Sequence, residues 1–244
     1  MALLEMKELN KSFGGLRAVV DFDLTIEQNQ IIGLIGPNGA GKSTVFNLIT
    51  GVFPVDSGEI LFKGENLVGQ KPHDICGKGI GRTFQVVKHF ADMTVLENTM
   101  VGSFFRVNHP EKARKEAMEV LDFVQLAHRS SSLAKNLTIA DKKRLELARA
   151  LATRPKLLLL DEVTAGLNAK ETQDTIALIQ RIRGEGVTLL IIEHIMKVIM
   201  TLSDRICILH HGSKIADGLP QQVAQDERVI KAYLGEADVF ARAQ

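Results

Sequence analysis

The chain has 244 residues, 45% hydrophobic and 24% charged, which excludes disorder, collagen-like repeats and coiled coil as its main architecture. Thirty basic residues against 29 acidic leave a formal charge of +1, so the composition offers no electrostatic footprint for nucleic acid. Two distant cysteines, Cys76 and Cys207, are too few for a zinc site and read as thiols of a reducing compartment.

In chain order, short apolar runs alternate with longer amphipathic segments, the pattern of an α/β protein with a largely parallel sheet. Residues 19–26 and 59–62 alternate and read as half-buried strands, and 31–35 as a fully buried strand followed by a helix over 42–50. From 111 to 152 the pattern is helical, with Ala113, Ala117, Val120, Leu121 and Val124 on one face of a helix over 111–126. Residues 157–160 are four consecutive leucines, the mark of a strand covered on both faces, and 187–192 is similar. Residues 206–209 and 214–216 flank a hairpin turn at 210–213, and one more helix follows Pro220 and ends near Gly235. The start carries no signal-peptide pattern. The longest apolar stretch, 187–202, is shorter than the roughly 20 residues of a membrane span and is broken by Glu193, His194 and Lys197.

Chemistry concentrates after the buried strands. Gly36-Pro37-Asn38-Gly39-Ala40-Gly41-Lys42-Ser43-Thr44 fits G-x-x-x-x-G-K-S/T, with a strand before it and a helix after it. Such a loop curls backbone N–H groups around phosphate oxygens, and the helix N-terminus adds positive potential. Lys42 is placed to neutralise the β and γ phosphates of ATP, and Ser43 offers a hydroxyl to Mg²⁺. Asp161 and Glu162 end the leucine strand, where α/β sheets line their ligand crevice. Asp161 is the expected Mg²⁺ residue and Glu162 the expected general base for water attacking the γ-phosphate. His194 closes another apolar strand and is the expected contact to that phosphate or water.

These pieces, in this order, resemble the ATP-binding cassette of ABC transporters over residues 3 to about 235. The resemblance implies a P-loop NTPase (RecA-like) α/β core with an antiparallel β subdomain and an inserted α-helical subdomain. Within one domain, 1–244, it places the nucleotide-binding core at about 1–85 and 153–219. The helical subdomain then covers about 86–152, and a C-terminal helix and tail about 220–244. It gives Phe13 the role of stacking on adenine. Gln85 takes that of sensing Mg²⁺ and the γ-phosphate, and Ala165-Gly166-Leu167-Asn168 becomes a loop crossing a dimer interface. It implies ATP and Mg²⁺ as cofactors, transmembrane permease subunits and a second cassette as partners, and a solute-binding protein as an indirect one. It also implies a cytoplasmic location, peripheral on the inner face of the cell membrane.

The stretches Gly81-Arg82-Thr83-Phe84-Gln85 and Met93-Thr94-Val95-Leu96-Glu97-Asn98 are most similar to the ATPases of branched-chain amino-acid importers. Urea-importer and lipopolysaccharide-exporter ATPases share parts of them. One segment departs from the family. Where it carries L-S-G-G-Q, this chain has Leu137-Thr138-Ile139-Ala140-Asp141, followed by the expected helix from Arg144 to Leu151. Thr138 to Asp141 reads as a capping box that places a carboxylate where the family receives the phosphate of the opposing subunit. Three assemblies stay open: a heterodimer with a cassette of intact signature, which is favoured; a homodimer; and an ATP-binding subunit with little hydrolysis, which the intact Glu162 disfavours. A soluble cassette without a transport role is the remaining alternative.

Overall fold

The computed structural model describes residues 2–84 and 89–233, the side chain of Tyr233 excepted. Two antiparallel strands open the chain, β1 (Ala2–Phe13) and β2 (Leu16–Glu27). β3 (Ile31–Ile35) runs through the phosphate loop into α1 (Lys42–Ile49). β4 (Ser57–Phe62) and β5 (Glu65–Asn66) return to β1 and complete a four-stranded sheet in the order β2-β1-β4-β5. After α2 (Pro72–Lys78) and β6 (Ile80–Arg82) come three helices, α3 (Val95–Phe104), α4 (Pro110–Phe123) and α5 (Ile139–Leu151). The chain then runs β7 (Leu157–Asp161), α6 (Ala169–Gly184), β8 (Thr188–Ile192), α7 (Met196–Leu202), β9 (Arg205–His210) and β10 (Ser213–Gly218). Two short helices, α8 (Pro220–Ala224) and α9 (Glu227–Tyr233), end the described chain.

The second sheet has the order β10-β9-β3-β8-β7-β6 and is parallel except for the β9–β10 hairpin. Its side chains sort by the two-residue period of a strand. Ile32, Leu34, Leu157, Leu159, Leu190 and Ile192 pack with Phe22, Ile26 and Phe62 of the antiparallel sheet and with Phe46 of α1. Ile31, Ile35, Leu158, Leu160, Leu189 and Ile191 pack on the other side with Ile179 and Ile182 of α6, Ile199 of α7 and the helical segment. Both faces are dry, so a leucine such as Leu158 contributes about 1.5–3 kcal/mol by burial. Polar residues have room only at the strand ends, and the candidate site residues accordingly follow the ends of β3, β8 and β7.

The helical segment is set by its own local signals. Thr94 and Glu97 form a reciprocal capping box that starts α3. Pro110 opens α4, whose Ala113, Ala117 and Leu121 face the core at four-residue spacing. The tail differs from expectation. The sequence predicts a single helix after Pro220, but two form, because Asp226 accepts the backbone N–H of Arg228 at 2.9 Å and starts a new helix instead of continuing the old one. The predicted end at Gly235 lies outside the described residues.

Candidate active site

The parallel strands β3, β8 and β7 are neighbours, so the loops leaving their C-terminal ends lie side by side. The phosphate loop leaves β3, Glu193 and His194 leave β8, and Asp161 and Glu162 end β7.

The phosphate loop is held by close backbone approaches that only glycine permits. A Cβ on Gly36 would stand 2.0 Å from the carbonyl oxygen of Leu209, and one on Gly41 2.3 Å from that of Ala18. The turn between β9 and β10 braces the loop further, because the Gly212 N–H donates to Ala40 O at 3.0 Å. Pro37 is half-buried, Asn38 and Gly39 are exposed and Ala40 is buried. Gly41 is the N-cap of α1 and supplies no side chain, and the first turn carries no acidic residue. The first N–H groups of a helix have no partners within it, so this end presents donors and the positive end of the dipole. Lys42 Nζ reaches back across the loop to the carbonyls of Gly36 (2.6 Å) and Pro37 (3.0 Å). Ser43 is exposed and Thr44 half-buried beside it.

Asp161 is buried, and its backbone N–H donates to Thr83 Oγ1 at 3.1 Å. One carboxyl oxygen, Oδ2, faces the Arg82 guanidinium at 3.4 Å; the other, Oδ1, is buried with no partner among the described residues. Burial pushes the carboxyl above the usual aspartate range, Arg82 opposes that shift, and Glu162 adds to it. Arg82 itself donates to Asn47 of α1 at 2.5 Å, and its guanidinium lies 5.5 Å from the ring centroid of Phe46 and 5.0 Å from that of Phe84.

Glu162 takes a left-handed backbone conformation, φ +50°, which costs a side-chain-bearing residue about 1–3 kcal/mol. Three bonds around it hold the turn. Its N–H donates to Ile192 O (2.9 Å), its carbonyl accepts from Lys143 Nζ (2.9 Å), and the Ala165 N–H returns to the same carbonyl (3.2 Å). This sharp turn lifts the Glu162 carboxylate off the strand and sets it 4.0 Å from His194 Nδ1. The imidazole of His194 is largely exposed.

The structure thus brings together Gly36 to Thr44, Asp161, Glu162 and His194. Phe13 ends β1, packs edge-on against Phe53 with centroids 5.1 Å apart, and is 41% exposed. Gln85 lies outside the described residues; the chain leading to it is anchored where the Phe84 N–H donates to the buried Glu146 of α5 at 2.7 Å.

The divergent segment forms the start of α5. Thr138 is its N-cap and accepts the Asp141 N–H at 3.1 Å. Of the two bonds of the expected capping box, this one forms among the described residues. Ile139 is 60% exposed.

Sequence reading gives no role to Arg82 or Glu193 and expects Lys143, with Lys142, to offset the charge of Asp141; the structure places Arg82 against Asp161, Lys143 against the Glu162 carbonyl and Glu193 against Thr164. A signal was present for Glu193: an acid follows five apolar or β-branched residues and precedes the candidate histidine.

The ABC transporter family profile matches residues 19–165, and that of the branched-chain amino acid ATP-binding cassette transporters matches residues 213–239. The chain is 43% identical to the high-affinity branched-chain amino acid transport ATP-binding protein BraF of Pseudomonas aeruginosa. It is 41% identical to LivG of Escherichia coli, described in the same terms. Each match covers 96% of this chain and 98% of the relative. A solved ATP-binding cassette of an ABC transporter in its ADP conformation superimposes with a TM-score of 0.88 at 29% identity, covering 96% of this chain and 99% of that one.

Proposed function

The chain belongs to the ATP-binding cassette ATPases of ABC transporters, and from that premise we propose that it powers the uptake of branched-chain or related amino acids through separate permease subunits. The observation that carries the ATPase reading is the convergence, at the C-terminal ends of neighbouring parallel strands, of an uncapped helix behind a glycine loop, a buried aspartate and a glutamate facing a histidine.

In this reading the N–H groups of the loop from Gly36 to Thr44, together with Lys42, hold the β and γ phosphates. Phe13 stacks on the adenine, its exposed ring already backed by Phe53. Ser43 and Asp161 would hold Mg²⁺. The donor set fits a hard cation, since the Asp161 carboxyl keeps a buried oxygen that no described protein group satisfies. When bound, the ion withdraws charge from the phosphate oxygens. Glu162 accepts the proton of the attacking water, and His194, beside it, contacts the γ-phosphate. Gln85 senses the same phosphate from the segment anchored at Phe84.

Permease docking is supported by a groove of about 420 Å³ between the core and the helical segment, lined by Val52, Ile75, Phe84, Val101, Phe105 and Arg149. Phe90 and Phe104 add further exposed apolar surface. No helix among the described residues is long and apolar enough to cross a membrane, which suits a subunit working from the cytoplasmic face on permeases that do. The division into a core at about 1–85 and 153–219, a helical subdomain at about 86–152 and a tail follows the same reading.

A heterodimer is the favoured assembly. The α5 terminus that would face the other subunit's nucleotide already spends the Asp141 N–H on Thr138. A partner cassette with an intact signature would complete this chain's own site, and a homodimer is the alternative. The test is uptake of labelled leucine by vesicles carrying the chain with its permeases, a second cassette and the binding protein. Uptake should require ATP inside and vanish with Glu162→Gln, and undiminished uptake by that variant would overturn the assignment.

A further inference from the structure

Glu193 is a buried acid without a structural excuse. It is 2% exposed, and it follows the apolar strand β8, where an uncharged residue would close the core at no electrostatic cost. Its environment contains no matching cation at bonding distance among the described residues. The ionisable groups acting on it are His194 beside it and Glu162 across from it, and burial pushes its carboxyl above the usual glutamate range.

What Glu193 does have is one residue bound twice. Its Oε1 accepts both the backbone N–H and the hydroxyl of Thr164, each at 2.8 Å, while Oε2 is buried and without a partner among the described residues. Thr164 is itself fully buried and stands two residues beyond Glu162. Glu193 stands immediately before His194. A further bond joins the same two segments, from the Glu162 N–H to Ile192 O. The loops that leave β7 and β8 are therefore tied at Glu162 itself and two residues beyond it, both ties reaching the two residues that precede His194. The Ile192 bond is ordinary backbone geometry that any sequence makes. Both Glu193–Thr164 bonds require the Glu193 side chain, and one of them requires the Thr164 hydroxyl.

We propose that Glu193 is a positioning residue which, through Thr164, fixes the turn after Glu162 relative to His194, so that the carboxylate meets the attacking water while the imidazole meets the γ-phosphate. Thr164 also begins a turn, its carbonyl accepting the Leu167 N–H at 3.2 Å. The inference rests on the reading that Glu162 and His194 act in ATP hydrolysis.

The test uses the chain assembled with its transporter partners, comparing Thr164→Val, Thr164→Ser, Glu193→Gln and Glu193→Leu, with Glu162→Gln as the inactive control. Valine removes the hydroxyl at nearly constant volume and serine restores it. Glutamine keeps a carbonyl oxygen able to accept both bonds. Thr164→Val should lower kcat about tenfold, since small misplacements of reacting groups cost rate steeply, with KM and nucleotide affinity unchanged within about twofold. Thr164→Ser and Glu193→Gln should stay near the parent, and Thr164→Val added to Glu193→Leu should cost nothing further, the two acting through one contact. Melting temperatures separate loss of fold from loss of rate. The proposal is overturned if kcat of Thr164→Val matches the parent, if affinity and kcat fall together, or if serine fails to rescue. Full hydrolysis by Glu162→Gln would instead overturn the reading beneath it.

Discussion

Two helices of this protein begin near its chemistry, and they begin in opposite ways. α1 starts at a glycine, with no side-chain cap and no acid in its first turn, so its N–H groups and dipole are left for something outside the helix. α5 starts at Thr138, whose hydroxyl takes the Asp141 N–H, and it carries the Asp141 carboxylate in its first turn. The first terminus is built to receive an anion and the second has supplied its own. In the dimer proposed above, where one terminus of each kind would face every nucleotide, the difference would place the defect of this chain on the site it lends and leave the site it owns complete.

The sharpest way to break that comparison is at Glu162. If the owned site is the working one, Glu162→Gln should lose about 10²–10⁴-fold of the hydrolysis rate, the usual worth of a general base, while still binding ATP. Steady-state phosphate release beside equilibrium nucleotide binding reads both quantities. Turnover that survives would move catalysis away from the α1 terminus.

Lys42→Ala tests the open terminus as a binding site. Removing a charged donor worth about 1.5–3 kcal/mol should weaken nucleotide binding roughly 10- to 100-fold. Titration with a fluorescent ATP analogue measures it, and an unchanged affinity would mean that the loop from Gly36 to Thr44 holds no phosphate.

A third variant rebuilds the closed terminus. Changing Thr138, Ile139, Ala140 and Asp141 to Ser, Gly, Gly and Gln removes the carboxylate and two Cβ-bearing side chains. It should raise hydrolysis by the chain on its own by at least about tenfold, since one well-placed donor to a developing negative charge carries that much or more. Equal rates with and without the change would make the homodimer sufficient and the partner cassette unnecessary.

How much of this was legible in the sequence depended on the range of the interaction. The strands β3, β7 and β8 announce themselves because both faces are apolar, and the phosphate loop because backbone geometry demands glycine at fixed spacing. β1 carries charges between its buried residues and bulges repeatedly against β2, so no clean alternation marks it. β6, three residues long, is a strand only because β7 lies beside it. The pairing of Arg82 with Asp161 and of Glu193 with Thr164 joins residues 79 and 29 positions apart, and nothing local hints at either. The groove at the helical segment is gathered from residues between Thr50 and Thr153, so it too exists only in the folded chain.

The smallest expected effect asks whether Thr138 serves only its own helix. An N-cap threonine replaced by alanine costs about 1 kcal/mol, which for a domain of this size lowers the melting temperature by about 2–4 °C. If the hydroxyl does nothing but hold the Asp141 N–H, Thr138→Ala should show that shift and leave nucleotide affinity and assembled hydrolysis where they were. Thr138→Ser keeps the cap and should show neither change. A loss of assembled hydrolysis larger than the stability change would mean that the Thr138 hydroxyl turns from its own helix to the partner's phosphate when the dimer closes. The cap bond would then be a resting position, and the closed terminus would be closed only while nothing faces it.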